Sequence, residues 1–439
     1  MPVEFKHFIR MGSYVEKTAI ERSKDYFDGI VVNANLVESA SSATTSFIIT
    51  TLADKEYFID PIPFVFSLHA YHLCSEQIDR KTKKSKIAIK RSFDKLSQRY
   101  GPMIEKIAGN ARLDLNDFSP TNIKTLAEYV IRYQISRLND ELQGDSKYGV
   151  NINKIPAFVL SPYFPIIDRK LKEWLDINKA LIRESKGVAR SVNLPLYGVM
   201  LLSPAFLDNE SDLLTLATGF LNEDADGYLY WFDNMDEKNL TKSRVIILKR
   251  FIEKFQNKNK PIINMYGGYL SALLSKFGLT GVIHGVAYWE SKPSKPISGG
   301  AAPPVKFYLQ PIHERITSDE MALLIDDCGL SSKQAFINNI CNCDVCQKVI
   351  KDDVRNSFIS TYGETEIKQS KSVMRRQATE NSRMLCRMHY LRAKRQEIEY
   401  VMGKSTADLK QQLVDAQAFY ADKSDSLSLE YLNNWASIF

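Results

Sequence analysis

The chain has no apolar run approaching the ~18–20 residues that span a bilayer. Its first residues, MPVEFKHFIRMGSYVEK, hold no apolar signal-like stretch. The expectation is a soluble, cytoplasmic protein. Cysteine is scarce, at 6 in 439 residues, too few for a disulfide scaffold. There is no internal repeat and no low-complexity tract, which excludes solenoids and bulk disorder. There is no P-loop and no G-x-G-x-x-G, so neither a nucleotide-phosphate cradle nor a dinucleotide fingerprint is expected. No His-x-His or radical-type cysteine motif ends a strand-like run.

What is present is ordinary globular material. Hydrophobic residues are 44% and charged residues 25%, enough for a large core. Net charge is 58 − 52 = +6, which permits a polyanionic partner without requiring one. Strand-like runs occur at 29–37, 56–66, 156–164, 196–206, 228–237, 261–274, 279–290 and 305–316. Most are continuously apolar, as for parallel strands buried on both faces. Helical patterns lie between several of them. In 243–260, Val245, Leu248, Ile252 and Phe255 recur at spacings of three and four. Strand alternating with helix through eight runs predicts an α/β fold, a (β/α)8 TIM barrel. A doubly wound sheet would want a glycine-rich turn after the first strand, and ANLVESASSATTS is not one.

The interval from about 75 to 155 is too long for one connection and reads as a helical insertion containing the basic run 80–91. Residues 1–327 are therefore assigned to the barrel with its insertion. From 328 to 439 cysteines cluster, strands stop and basic helices follow, so this part is read as a C-terminal zinc-binding helical subdomain. Within it, Ser405 and Asp408 form a capping-box pattern ahead of Leu409, Leu413, Ala416 and Tyr420 on one face.

Cys341, Cys343 and Cys346 form C-x-C-x2-C. Three soft donors within six residues suit Zn²⁺, which takes four ligands in a tetrahedron when structural. His389, in LCRMHYLRAKRQEI, is the expected fourth ligand; Cys386, three residues earlier on the same helical face, is its rival. With no open position the metal, one per chain, would be structural.

A barrel ending in C-x-C-x2-C and a distant His-bearing helix resembles the tRNA-guanine transglycosylases. The resemblance rests on Cys341-Asn-Cys-Asp-Val-Cys-Gln-Lys348 and His389-Tyr-Leu391, and on Gly267-Gly268 after a late strand. The family's Asp-Ser-Gly-Gly-Phe/Tyr-Gln motif is absent, the Cys-to-His interval is longer, and the 305–316 run lacks the Asp-rich end that carries the family's nucleophile. FIDP, YGGY and a Trp/Asp-bearing strand resemble the DNA-guanine transglycosylase branch, which places 7-deazaguanine bases in DNA. The resemblance implies an enzyme, a pentosyltransferase exchanging guanine in DNA for a base such as preQ0. The alternatives are a tRNA substrate, or a non-catalytic zinc-stabilised barrel that binds nucleic acid. It also implies that Gly267 and Gly268 bring backbone close to the purine.

Barrel chemistry sits at the C-terminal ends of strands. Asp60, in Phe58-Ile-Asp-Pro61, and Asp233, in Trp231-Phe-Asp-Asn-Met-Asp236, are the expected catalytic pair, with Asp236 and Glu38 as fallbacks. Base exchange at C1′ needs a carboxylate to trap the sugar and a second group to move protons. His284 and His313 end the last two strand-like runs and are expected substrate contacts, and Tyr266, Tyr269 and Trp289 could stack on a base. Between 368 and 395 there are nine Lys/Arg against one acid, Glu380. Arg375, Arg376, Arg387 and Arg392 are expected to form a phosphate-binding surface there. A base paired in a duplex would have to be flipped out.

Overall fold

The computed structural model describes residues 4–78, 85–107, 112–143, 154–166, 171–286, 290–295, 305–370, 373–421, 423 and 428–439. Eight parallel strands make the central sheet: β1 (Lys6–Met11), β2 (Gly29–Asn33), β3 (Glu56–Asp60), β4 (Val159–Leu160), β5 (Leu196–Leu202), β6 (Gly227–Phe232), β7 (Ile262–Asn264) and β8 (Gly281–Gly285). Their order is β3-β2-β1-β8-β7-β6-β5-β4, each strand beside its sequence neighbour, with β1 joining β8. The remaining seam is bridged where the Ala157 N–H donates to the Tyr57 carbonyl at 2.8 Å. The sheet is a nearly closed (β/α)8 barrel, as the alternating pattern predicts.

One strand differs from the sequence expectation. The run KHFIRM is β1, and Phe307–Leu309 lies outside the barrel, paired antiparallel with Glu314–Ile316. KHFIRM is short and carries Lys6 and Arg10 among its apolar residues, so it does not read as a strand buried on both faces. It is buried nonetheless, because Arg10 finds an acidic partner inside the barrel.

Aromatic rings fill the lower barrel. Phe8 meets Phe58 at 5.4 Å, Phe58 meets Phe158 at 4.4 Å, and Phe158 stacks on Tyr197 at 4.2 Å. Rings this large need small residues across the ladder. A Cβ on Gly29 would sit 2.5 Å from Phe8, and one on Gly227 would sit 2.3 Å from Tyr197. Large faces small within a layer, which is how the interior packs without voids.

Helices α1 (Pro120–Gln143), α2 (Leu171–Ser191), α3 (Glu210–Leu221) and α4 (Lys242–Gln256) sheathe the later strands. In α4 the expected stripe is buried, and Thr241 caps its first turn. The β3–β4 insertion is not wholly helical. It opens with an antiparallel hairpin, Cys74–Ile78 against Ser85–Ile89, before three helices. Residues 80–84 of the basic 80–91 run fall outside the described residues.

The C-terminal part also contains strands that its basic composition conceals. Thr365–Ser370 pairs with Val373–Ala378 ahead of the long helix α5 (Glu380–Gly403). In α6 (Thr406–Ala421) the capping box forms as expected, and Leu409, Leu413 and Tyr420 are buried. Helix α5 is buried along its middle from Cys386 to Val401. It packs on the barrel on one side and on the cysteine cluster on the other.

Candidate functional site

The cysteine cluster is assembled by three local devices. Asp344–Val349 begins a short helix whose Cys343 sits at the N-cap, so Cys343 and Cys346 share one turn. Backbone N–H groups point at sulfur: Cys343 N at Cys341 Sγ and Cys346 N at Cys343 Sγ, both at 3.4 Å. His389 arrives from α5, and its Nδ1 lies 3.6 Å from Cys343 Sγ and 3.4 Å from Cys346 Sγ. The four donor atoms lie within 4.8 Å of one another, and all four residues are buried. Cys386, the alternative ligand, is not in the group; its sulfur faces the Tyr362 carbonyl.

Surrounding groups fix this geometry. His389 Nε2–H donates to the Tyr308 carbonyl at 2.7 Å, which leaves Nδ1 free to ligate. The Tyr362 hydroxyl lies 3.1 Å from Cys346 Sγ, and Phe307 stacks flat on the imidazole at 4.2 Å. Three thiolates and an oriented imidazole are a donor set for one tetrahedral metal ion. Tyr308 and Phe307 belong to the Phe307–Leu309 hairpin. That explains why this strand-like run leaves the barrel: it packs against the cysteine–histidine cluster.

At the barrel mouth, Asp60 is fully buried in an ion pair with Arg10, 2.8 Å from Nη1. Its other oxygen accepts from the Tyr163 hydroxyl at 2.8 Å and the Ile62 N–H at 3.2 Å. Asn33, beside Asp60 in the β2–β3 register, also accepts from Arg10 Nη1. Ile62 has φ +45°, a conformation that β-branched residues avoid. Strain of this kind persists where surrounding structure imposes it, often at functional sites.

Asp233 is placed differently. It follows β6, is half-buried, and accepts from the Ser294 N–H. It lines a cavity of about 650 Å³ together with His69, His72, Arg112, Trp174 and Lys295. Asp60 is not part of that lining. The two carboxylates therefore belong to one barrel mouth but to different environments, one open and one sealed. Lys292 is a component that the sequence reading missed. Its Nζ lies over the rings of Tyr266 (5.5 Å) and Trp231 (5.8 Å). Desolvation and the neighbouring Arg10 charge lower its pKa to about 8, with Asp60 pulling the other way.

The Gly267-Gly268 pair does permit close approach, but the protein's own groups take it up. A Cβ on Gly267 would sit 2.3 Å from Ser271 Oγ. A Cβ on Gly268 would meet the carboxylates of Glu290 at 3.1 Å and Glu237 at 3.2 Å. These two acids, also absent from the sequence reading, titrate in opposite directions. Burial pushes Glu237 up to about 7, against hydrogen bonds from Ser271 and the Gly268 backbone. Burial would raise Glu290 too, but Lys394, Arg315 and the Tyr390 hydroxyl outweigh it and hold its carboxyl well below the usual range.

The two histidines lie away from the mouth. His284 faces outward from β8, its Nε2 lying 2.7 Å from His7 Nε2 and its Nδ1 3.1 Å from the Tyr390 hydroxyl. Burial lowers its pKa to about 4, so it is neutral. His313 is in the turn of the Phe307–Ile316 hairpin, outside the barrel, stacked on Tyr269 and bonded to Glu397 at 2.6 Å. Of the four arginines, Arg375 and Arg376 are exposed on the Val373–Ala378 strand. Arg387 is half-buried and reaches the Val15 carbonyl. Arg392 is 4% exposed and is engaged by Asp344, Ser23 and the Arg22 carbonyl. It fastens α5 to the barrel and is not part of a surface. Trp289 and residues 79–84 of the basic insertion lie outside the described residues.

No protein-family model matches the chain. No curated protein matches it. Among solved structures it is similar to the intracellular xylanase TsXylA from Thermoanaerobacterium saccharolyticum. Identity is 10%, coverage is 70% of this chain and 94% of that one, and the TM-score is 0.36. A likeness at that level carries no functional argument.

Three outcomes are expected. Elemental analysis of the purified chain should return about one metal ion per chain, and Cys346→Ser should lower unfolding free energy by roughly 3 kcal/mol or more, because metal binding is coupled to folding. Asp60→Asn leaves Arg10 as an uncompensated buried charge and should cost about 3–5 kcal/mol in denaturant titration, whereas Asp233→Asn should cost under about 1 kcal/mol. Glu237 has a folded pKa of about 7, above its ordinary 4.5. Its contribution is therefore complete below pH 4.5 and lost as pH rises through 7. Glu237→Gln should remove that dependence and stabilise the chain by roughly 3 kcal/mol at pH 8, read from unfolding curves at pH 4 and pH 8.

Proposed function

We propose that the chain is a guanine transglycosylase that exchanges guanine in DNA for a 7-deazaguanine base such as preQ0, with one structural zinc ion. The assembled Cys341, Cys343, Cys346 and His389 cluster carries this reading, since the sharpest part of the family resemblance rests on those residues. The cavity containing Asp233 supports it, because about 650 Å³ is room for a nucleotide.

In this reading Asp233 is the nucleophile. Its carboxylate forms a bond to C1′ as the C1′–N9 bond breaks, and the electron pair leaves with guanine. The departing base takes a proton from the Lys292 ammonium. The incoming base returns its N9 proton to the Lys292 amine, its nitrogen attacks C1′, and Asp233 is released. Two displacements retain the sugar configuration, as in retaining glycosidases. A lysine with a pKa near 8 suits proton transfer in both directions. Asp60 does not attack the sugar. Both its oxygens are engaged, and it holds Arg10 in position. Arg375 and Arg376 contribute to backbone phosphate binding.

The test is incorporation of radiolabelled guanine into duplex DNA and into tRNA, offered in parallel. Label should enter DNA, and Asp233→Asn should reduce exchange by at least about 10²-fold and form no covalent sugar adduct. Label entering tRNA alone would move the substrate to RNA. Label entering neither would overturn the proposal.

A further inference from the structure

Arg10 uses only one of its nitrogens. Nη1 serves Asp60 and Asn33. Nε and Nη2 have no hydrogen-bond partner among the described residues, and neither has the Tyr266 hydroxyl. Arg10 and Tyr266 are each 2% exposed, so these donors have no access to bulk water. Native proteins seldom leave buried donors unpaired, and three at one place call for an acceptor.

The arrangement says which kind of acceptor. Nε–H and Nη2–H are the side-on edge of the guanidinium, two parallel donors that match two adjacent acceptors. Asp60 and Asn33 grip the group through Nη1 and so fix the direction of that edge. The Arg10 guanidinium lies 4.6 Å over the Tyr266 ring, and Trp231 packs against Tyr266 at 4.8 Å. Flat rings beside a donor fork suit a planar heterocycle. Guanine presents O6 and N7 side by side, the pair that arginine reads in nucleic acids.

Resting on the base-exchange reading, we infer that the Nε/Nη2 edge of Arg10 and the Tyr266 hydroxyl form the base-reading subsite and take the O6–N7 edge of guanine. A 7-deazaguanine without a substituent lacks the second acceptor. A 7-cyano group restores an acceptor on that side of the ring. The subsite thus selects a nitrile-bearing base over plain 7-deazaguanine.

The experiment is calorimetric titration of the full chain with guanine, preQ0 and 7-deazaguanine, for the parent and Tyr266→Phe. The parent should bind guanine and preQ0 about tenfold more tightly than 7-deazaguanine. Tyr266→Phe should weaken guanine binding about tenfold. Its thermal midpoint should stay the same or rise, because the hydroxyl it removes has no protein partner to lose. A hydroxyl with a purely structural role would instead lower the midpoint and leave base affinity alone. Equal affinity for the three bases, or unchanged guanine affinity in Tyr266→Phe, would mean that water meets these donors and would overturn the inference while leaving the base-exchange reading standing. Failure of the parent to bind guanine would overturn both the subsite and the base-exchange reading.

Discussion

The Arg10–Asp60 pair is the constraint on which the barrel mouth depends. Two opposite charges are buried there, and their desolvation is offset by their mutual attraction and by hydrogen bonds with Asn33, Tyr163 and the Ile62 backbone, while Arg10 Nε and Nη2 have no partner among the described residues. That requirement explains several features together. It draws a charged segment, KHFIRM, into the sheet as β1. It accompanies the left-handed backbone at Ile62, whose N–H turns back to Asp60. It also fixes the guanidinium plane over Tyr266. Removing either charge would leave the other without compensation, so the polar chemistry of the mouth stands or falls as one unit.

Helix α5 performs the equivalent task between the cysteine cluster and the barrel wall. It carries His389 to the cysteines, and His389 in turn grips the Tyr308 carbonyl. The next residue, Tyr390, donates to Glu290 at 2.6 Å and meets His284 of β8. One turn further on, Lys394 lies 3.0 Å from Glu290 and 3.1 Å from Glu397. Burial works against the Lys394 charge, but the two carboxylates outweigh it and raise its pKa. A helix so rich in charge would be read as a solvated face. It is buried because nearly every charge on its inner side has a counter-charge supplied by another element.

Legibility in the sequence followed the range of the interaction. The alternation of apolar runs and helical stripes is local, and it predicted the barrel, the α4 face and the α6 capping box. The C-x-C-x2-C spacing is also local, and it led to a cluster that His389 completes. Assignments that depended on partners distant in sequence fared differently. Phe307–Leu309 has the composition of a barrel strand, but it lies outside the barrel against His389, which stacks on Phe307 and bonds the Tyr308 carbonyl. Arg392 sits in a basic run, but Asp344 and Ser23 hold it inside. Lys292 sits in a Pro/Ser loop that gives no hint of its aromatic surroundings.

By itself, then, the sequence determined the fold class, the four residues of the Cys341, Cys343, Cys346 and His389 cluster and the candidate carboxylates, because periodicity, donor chemistry and strand-end position are properties of short segments. The tertiary structure alone decided that Asp233 is open to a cavity while Asp60 is sealed against Arg10. It also decided that the pKa values of Glu237 and Glu290 are pushed in opposite directions. Desolvation and charge pairing are set by what packs around a group, and those neighbours come from strands and helices far apart in the chain.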